Sequence, residues 1–367
     1  MKKIYLFILS LALVITLSAC GGRNTELVYN PYAGVDWDNT TQINAALHNH
    51  TDYSDGDYMP HEVVDIYKDL GFTALAITDH DNYPPDDIVF PWTEFASFRE
   101  GYENRDPEAL EMIAIPGIEY SYHHHMTALY IDHQPGQAYD ERDLFDLIGE
   151  TEDALGWFAH PGRYWEFDSF AQRDDIAMEW YVPYFEDYPL ETLLGIEVFS
   201  QRDRHETDRV LWDYLLTEFM PDRPVYGFGV DDFHGTYAGY SYTTHLMNDP
   251  LDGDAFRQTL LDGHFFAVSR INNDDPVPII EKIIVDEENK TIEIVASDYD
   301  RIHWISGISD AGSGVYVSEI IHEGAVFDYS DYDLSYIRVE LQAGSEGSSF
   351  MRRTLTQPFG FAEAEDE

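Results

Sequence analysis

The chain has 367 residues and carries 70 acidic against 21 basic side chains, a formal net charge of −49. Such a field repels nucleic acid, long polyanions and anionic membrane surfaces, and no basic stripe offsets it, so a nucleic-acid partner is not expected. With 44% hydrophobic and 15% aromatic residues the chain has enough for sizeable cores, and the charge reads as a salt-adapted or strongly solvated surface rather than as disorder.

The first element in the chain reads as a processing signal. Lys2 and Lys3 precede an apolar run over 4–17, and Leu17-Ser18-Ala19-Cys20 ends it with small residues. This ending resembles the lipobox of bacterial lipoproteins, which implies that residues 1–20 are a signal peptide and that Cys20 becomes the lipidated anchor of an exported chain. Cys20 is the sole cysteine. The remainder therefore has no thiol for disulfides or thiolate zinc sites, and any metal must be held by histidine and carboxylate. Residues 21–40 are polar, with little periodicity, and read as a linker. No later stretch is long and apolar enough to span a bilayer.

From 41 to 272 one theme repeats, an apolar strand that finishes on an acid or a histidine. The run 43–47 enters His48-Asn49-His50-Thr51-Asp52-Tyr53-Ser54-Asp55-Gly56, where alternation puts both imidazoles on one face of an extended strand, able to grip one ion. Residues 60–70 read as an amphipathic helix, with Val63, Val64, Ile66, Tyr67 and Leu70 on one side and Gly71 as its stop. The run 75–77 ends on Thr78-Asp79-His80-Asp81, and 112–118 on Glu119. His123-His124-His125 precedes the run 126–131, and 155–159 leads to His160-Pro161-Gly162-Arg163. The run 194–199 contains Glu197, and 225–230 leads to Asp231-Asp232-Phe233-His234. Helical patterns at 140–147, 205–216 and 254–261 lie between these runs, so a mainly parallel α/β sheet closed as a barrel is expected, with one functional rim. Two aromatic-rich intervals, 82–105 and 164–189, either wall a pocket or pack on the barrel.

After 272 the pattern changes to short alternating segments at 277–285, 291–296, 302–305, 315–321, 337–341 and 350–355. Residues 273–360 are expected to form a small antiparallel β-domain, a sandwich, with an accessory role because it carries no convergent ligand set. Residues 361–367 read as a frayed acidic tail.

The strand-end groups are His48, His50, Asp55, His80, Glu119, His125, His160, Asp232 and His234. Their ordered motifs, His-x-His, Ser-Asp-Gly, Thr-Asp-His, Gly-Ile-Glu, His-Pro and Asp-x-His, resemble the PHP superfamily, named for polymerase and histidinol phosphatase. The resemblance covers about 45–270 and implies a distorted (β/α)7 TIM-like barrel with two or three metal ions at its C-terminal rim. It implies His48, His50, Glu119 and Asp232 as ligands of a first metal, with Glu119 bridging to a second held by His125 and His160. Asp55, His80 and His234 would hold a third, and Asp55 stands where some members have histidine. His125 is preferred to His123 and His124 because it directly precedes Met126-Thr127-Ala128-Leu129. Asp231 and Asp79 are candidates for orienting the ligating imidazoles.

The donor types agree with this reading. Imidazole and carboxylate without thiolate suit Zn²⁺, Mn²⁺ or Fe²⁺. A bridging carboxylate can hold two ions about 3.5–4 Å apart, the spacing used for in-line displacement at phosphorus by an acidified water. No Gly-x-Ser-x-Gly elbow is present, so Glu119, Asp232 and Arg163 are taken as the catalytic set, with Arg163 as a clamp for phosphate or carboxylate. Arg270 is a second candidate clamp, while His205, His264 and His303 read as structural. The expected function is a lipid-anchored extracytoplasmic phosphoesterase acting on a small phosphate ester. Alternatives are hydrolysis of carboxylic or carbamic esters, or a non-catalytic metal-containing envelope or glycan-binding lipoprotein.

Overall fold

The structure, a computed structural model, describes residues 25–81, 88–131, 140–167, 174–273, 275–312, 315–344 and 351–363, with backbone alone for 165–167 and 174–177. The expected signal with Cys20 and the end of the acidic tail lie outside the described residues. Eighteen strands are described. The first, β1 (Thr25–Tyr29), is followed by β2 (Thr41–Ala46), β3 (Ala74–Ile77), β4 (Ile113–Ser121), β5 (His125–Leu129), β6 (Leu155–Phe158), β7 (Leu193–Ser200), β8 (Tyr226–Val230), β9 (Ser241–Met247) and β10 (Phe265–Ser269). The C-terminal strands are β11 (Ile279–Asp286), β12 (Thr291–Ser297), β13 (Arg301–Asp310), β14 (Tyr316–Glu323), β15 (Val326–Asp328), β16 (Tyr336–Ala343), β17 (Arg352–Leu355) and β18 (Phe359–Glu363).

Strands β10, β9, β2, β3, β4, β5, β6, β7 and β8 pair in that order. The sheet is parallel at β2–β3, β3–β4, β6–β7 and β7–β8, and antiparallel at β4–β5 and β5–β6. The sheet is thus more mixed than expected, because only Tyr122, His123 and His124 separate β4 from β5, too short a link for a parallel crossover. Among the described residues no ladder joins β8 to β9 or β10, so the expected hydrogen-bonded closure is not seen. The two ends nevertheless touch at Gly229 of β8, where a Cβ would stand 2.5 Å from the Tyr242 carbonyl oxygen and 2.9 Å from that of Val268. Glycine lets the backbones approach without a ladder.

The helices Pro60–Asp69, Glu141–Glu150, Thr207–Phe219 and Gly253–Asp262 fall where the apolar periodicity places them. Asp140 and Asp252 cap the second and fourth with their carboxylates, and Gly263 ends the fourth at φ 73°. No helix among the described residues is long and apolar enough to cross a membrane.

The C-terminal strands form two antiparallel layers, as the small β-domain expected there would. The sheet β11–β12–β15 packs Ile280, Ile292, Ile294 and Phe327 against Ile302, Trp304, Ile337, Val339 and Leu341 of β13 and β16. The second layer continues into the large sheet, because β17 pairs with β10 on one side and β16 on the other. The linker reading of 21–40 is corrected here. Thr25–Tyr29 pairs antiparallel with β18 as far as Glu363, and Tyr32 is buried with its hydroxyl between Gln357 N–H (2.8 Å) and the Phe265 carbonyl (3.1 Å). Residues 362 and 363, read as frayed, are the partners of that strand.

The alternation in β16 also has a different meaning from the one expected. Its polar positions do not face water; Arg338 donates through Nε and an Nη to the two carboxylate oxygens of Asp213 on the helix Thr207–Phe219, both at 2.7 Å and both fully buried. An uncompensated charge there would cost several kcal/mol, so each partner requires the other.

One buried histidine makes stability pH-dependent. Burial pushes the His245 imidazole of β9 down to about 3, where it sits between the hydroxyls of Thr259 (2.7 Å) and Thr243 (2.9 Å). The folded state then binds fewer protons than the unfolded chain, so stability falls by about 1.4 kcal/mol per pH unit as pH drops from about 6.5 toward 3. Urea unfolding of His245→Gln between pH 7 and 4 is expected to show a shallower acid dependence than the native chain by that slope.

Candidate metal centre

Strand ends determine where the chemistry falls. Beyond β2, alternation sends His48 and His50 to one side, while Asn49 on the other donates from its amide to the carbonyls of Ala46 (3.2 Å) and Ala76 (2.9 Å). Asp79 beyond β3 accepts from Thr51 N–H and Oγ1, both at 2.7 Å, and from Ser54 Oγ, folding the loop that presents Asp55. Gly56 completes that loop, since a Cβ would meet the His50 carbonyl carbon at 2.7 Å. His160 and Asp232 take positive φ values of 27° and 46°, a backbone region that bends their strand exits inward and costs about 1–2 kcal/mol per residue. Such deviations concentrate at functional sites.

Of the nine expected residues, five histidines and Asp232 gather around Glu119, which is fully buried, and Asp55 and His234 join them through His50 and His80. Its Oε2 lies 3.3 Å from His48 Nε2, 3.2 Å from His50 Nε2 and 2.9 Å from His80 Nδ1. Its Oε1 lies 2.9 Å from His125 Nδ1 and 3.0 Å from His160 Nε2. One carboxylate thus faces two clusters through different oxygens. The rim group centres on Asp55 Oδ1, with His234 Nε2 at 3.2 Å, His80 Nε2 at 3.5 Å and His50 Nδ1 at 3.7 Å.

The donors fit metal ions. His48 Nε2 and His50 Nε2 stand 3.1 Å apart, and Asp232 Oδ1 lies 3.2 Å from the second and 3.6 Å from the first. With Glu119 Oε2 these separations match the edges of a tetrahedron whose centre is about 2.0–2.1 Å from each corner, for which an edge is about 3.3 Å. Two inward atoms of this group, Glu119 Oε2 and Asp232 Oδ1, are buried without a hydrogen-bond partner. Buried polar atoms are seldom left so, and a shared cation would satisfy them.

Electrostatics favours positive charge at the centre. Burial alone would raise the Glu119 and Asp232 carboxyls, yet the surrounding imidazoles hold both well below the usual carboxylate range. Burial likewise opposes charge on His48 and His80, but Glu119, Glu197 and Asp232 raise the first well above its ordinary value, and Asp55 and Glu119 raise the second to about 10.

Three details depart from the expected roles. His80, assigned to the rim group, also reaches Glu119 and shares a cluster with His125. Asp79 and Asp231 shape loops rather than orient imidazoles; Asp231 accepts from Tyr67 Oη (2.6 Å), Tyr240 N–H (2.8 Å) and Ser241 N–H (2.7 Å). The orienting carboxylate is Glu197, which lies within an apolar strand and outside the expected ligand set. Fully buried, it accepts from His48 Nδ1 at 2.7 Å, His160 N–H at 2.8 Å and Trp157 Nε1 at 3.2 Å, which turns His48 Nε2 toward the centre. An acid fully buried in a strand of Leu, Ile, Val and Phe was the available signal.

The cluster opens to a cleft of about 640 Å³ lined by Asp55, His80, Asp232 and His234, with Arg163, Arg204, Gln201 and Tyr164 among its walls. Tyr164 Oη accepts from His125 N–H at 2.9 Å and so fixes that ligand. His124 is turned away, stacked on Trp180 at 3.9 Å, while His123 reaches the cleft wall. Arg270 is not a clamp, because it donates to the carbonyls of Gly239 (2.6 Å) and Asn273 (2.9 Å). His205 and His303 are buried outside the ligand clusters, and His264 packs near Gly34. The aromatic intervals mostly pack on the sheet, through Trp92, Phe95, Tyr181 and Phe185; residues 82–87 and 168–173 and the side chains of Trp165 and Phe167 lie outside the described residues.

Residues 46–211 match the model of the PHP domain. No curated protein matches the chain significantly. Among solved structures, a two-domain protein of Bacteroides vulgatus containing a predicted PHP-like metal-dependent phosphoesterase is 16% identical, with a TM-score of 0.47, over 87% of this chain and 93% of that one. A protein of Bifidobacterium adolescentis described as a candidate metal-dependent phosphoesterase is 15% identical over 60% of this chain and 96% of that one, with a TM-score of 0.34. An amidohydrolase of Chromobacterium violaceum, solved with sulfate and no metal, is 17% identical over 64% of this chain and 99% of that one, with a TM-score of 0.35.

Glu197 gives this arrangement a specific test. Glu197→Gln keeps the volume but weakens the acceptor for His48, and metal affinity should drop about 10–100-fold in a chelator-competition titration. Unchanged affinity would remove Glu197 from the centre.

Proposed function

We propose that the chain is a metal-dependent hydrolase of small phosphate esters, working with two or three divalent ions of the Zn²⁺, Mn²⁺ or Fe²⁺ type. The observation that carries this reading is Glu119, a single buried carboxylate that faces two groups of imidazoles through different oxygens. His48, His50, Glu119 and Asp232 would hold one ion, Glu119 with His125 and His160 a second, and Asp55, His80 and His234 a third at the rim. Such ions supply Lewis acidity and a water acidic enough to attack at neutral pH.

The residues of the chain supply position. Glu119 and Asp232 keep their charge despite burial and so hold the ions' ligand shell in place. Arg163 lies in the first turn of a short helix beyond β6 and shares the cleft wall with Arg204, so two guanidiniums line the cleft into which the metal donors open. A planar fork matches phosphoryl oxygens two at a time, and in a chain of net charge −49 this is where an anion would be drawn. The PHP-domain match supports the same reaction class. Export on a lipid at Cys20 belongs to this proposal through the sequence of the leader, with the hydrolase acting outside the cytoplasm.

Metal analysis and turnover of a phosphate monoester such as p-nitrophenyl phosphate test the reading. Chelation should abolish turnover and Mn²⁺ or Zn²⁺ restore it; His48→Ala and Asp232→Ala should each lower kcat by more than about a hundredfold, beyond the loss seen for outer partners. Arg163→Met should act mainly on KM, with kcat/KM falling roughly 10–100-fold, the worth of a charge-assisted hydrogen bond. Full activity in His48→Ala would defeat the assignment.

A further inference from the structure

Between β7 and the helix Thr207–Phe219 the chain makes a turn with no glycine. Gln201, Arg202 and Asp203 take φ values of 47°, 68° and 63°, and Arg204 N–H donates to the Ser200 carbonyl at 3.0 Å, closing one left-handed turn. L-residues visit this region singly; a run of three is unfavourable and must be held by its surroundings.

The hold comes from the C-terminal strands. Asp203 accepts from Arg209 of the following helix and from Arg353 of β17, the latter at 2.5 Å. Arg353 is itself fixed by Glu340 of β16, to which its Nε donates at 2.9 Å. On its other side the turn serves the metal centre. Gln201 Nε2 donates to Asp232 Oδ2 at 2.8 Å, leaving Oδ1 toward His48 and His50, and Arg204 donates to Gln201 Oε1 at 2.7 Å while lining the cleft.

We infer that Arg353 is a positioning residue of the metal centre: the C-terminal β-strands lock the left-handed turn through Asp203, and the turn aims Asp232 through Gln201. The inference rests on the reading of the histidine and carboxylate cluster as a metal centre. It gives the C-terminal unit a role in the site although it contributes no ligand. A simple clamp between the layers would be different, since the Arg338–Asp213 pair already joins β16 to the same helix. Loss of a clamp lowers stability alone, whereas loss of a positioning residue also changes the ligand it aims.

The test uses the full chain, with Mn²⁺ affinity and stoichiometry measured by titration alongside the melting temperature of the metal-free protein. Arg353→Met and Gln201→Ala should each weaken one Mn²⁺ site about tenfold. Gln201→Ala should do so with little change in melting temperature, because the side chain is only partly buried at a turn. The double variant should be no weaker than the weaker single, as expected when one residue acts through the other. Arg353→Lys, which keeps the charge without the fork, should recover part of the affinity and carries the test if Arg353→Met does not fold. Wild-type Mn²⁺ affinity in Gln201→Ala, or losses that multiply in the double variant, would overturn the inference. Failure of the unaltered chain to bind Mn²⁺ or Zn²⁺ would instead overturn the metal centre, and the inference with it.

Discussion

The structure depends on keeping the Glu119 carboxylate ionised in the middle of a protein. An isolated buried carboxylate would take up a proton, because desolvation of its charge is worth several kcal/mol or more. Here Glu119 is held well below the ordinary carboxylate range by imidazoles on both of its oxygens. Those imidazoles come from the exits of β2, β3 and β6 and from the first residue of β5, which runs antiparallel to β4, so the order of strands in the sheet sets the order of ligands around one carboxylate. From outside the ligand set, Glu197 holds the His48 ring, Tyr164 accepts from the His125 N–H, and Asp79 folds the loop that presents Asp55.

This division explains what could be read from the sequence. The ligands were legible because most of them flank an apolar run, and a polar group that abruptly follows or precedes such a run has a place at the mouth of a sheet. His125 could be told from His123 and His124 by register alone, since β5 begins on it. The convergence of all nine side chains follows from those rules, while their roles as ligands belong to the proposed function. The outer support was much less legible. Glu197 lies inside an apolar strand, and nothing local shows that His48, 149 residues away, supplies its donor. The pairing of β1 with β18 joins the two ends of the described chain, and no periodicity in five residues announces such a partner. The close approach of the sheet's two ends at Gly229, made by bare backbone, leaves no pattern of side chains to read.

Alternation was misleading in one respect. In β16 the sequence Tyr336-Ile337-Arg338-Val339-Glu340-Leu341 has the period of a half-exposed strand, yet every one of these residues is buried. Period two reports which residues share a face; it does not report what covers that face. Here the apolar face meets the sheet β11–β12–β15, and the polar face meets a helix that presents Asp213 and Arg209. Burying a connected set of charges is tolerated because opposite charges meet at hydrogen-bonding distance: Arg338 with Asp213, Arg353 with Glu340 and Asp203, and Arg209 with Asp203.

The scarcity of basic residues gives this arrangement its functional sense. Three arginines are committed to the buried network, and two others, Arg163 and Arg204, line the cleft at the metal centre. With so few cations among 70 acids, the surrounding surface offers an anion little to hold it. Under the proposed function, a small phosphate ester would meet these two guanidiniums with its charged end and leave the rest of the molecule in water. A long polyanion would have to lie across acidic surface on either side of the cleft, where each further charge adds repulsion. Under the proposed function, the same net charge that would repel polyanions from the surface would favour ligands whose negative charge is compact enough to stay within the cleft.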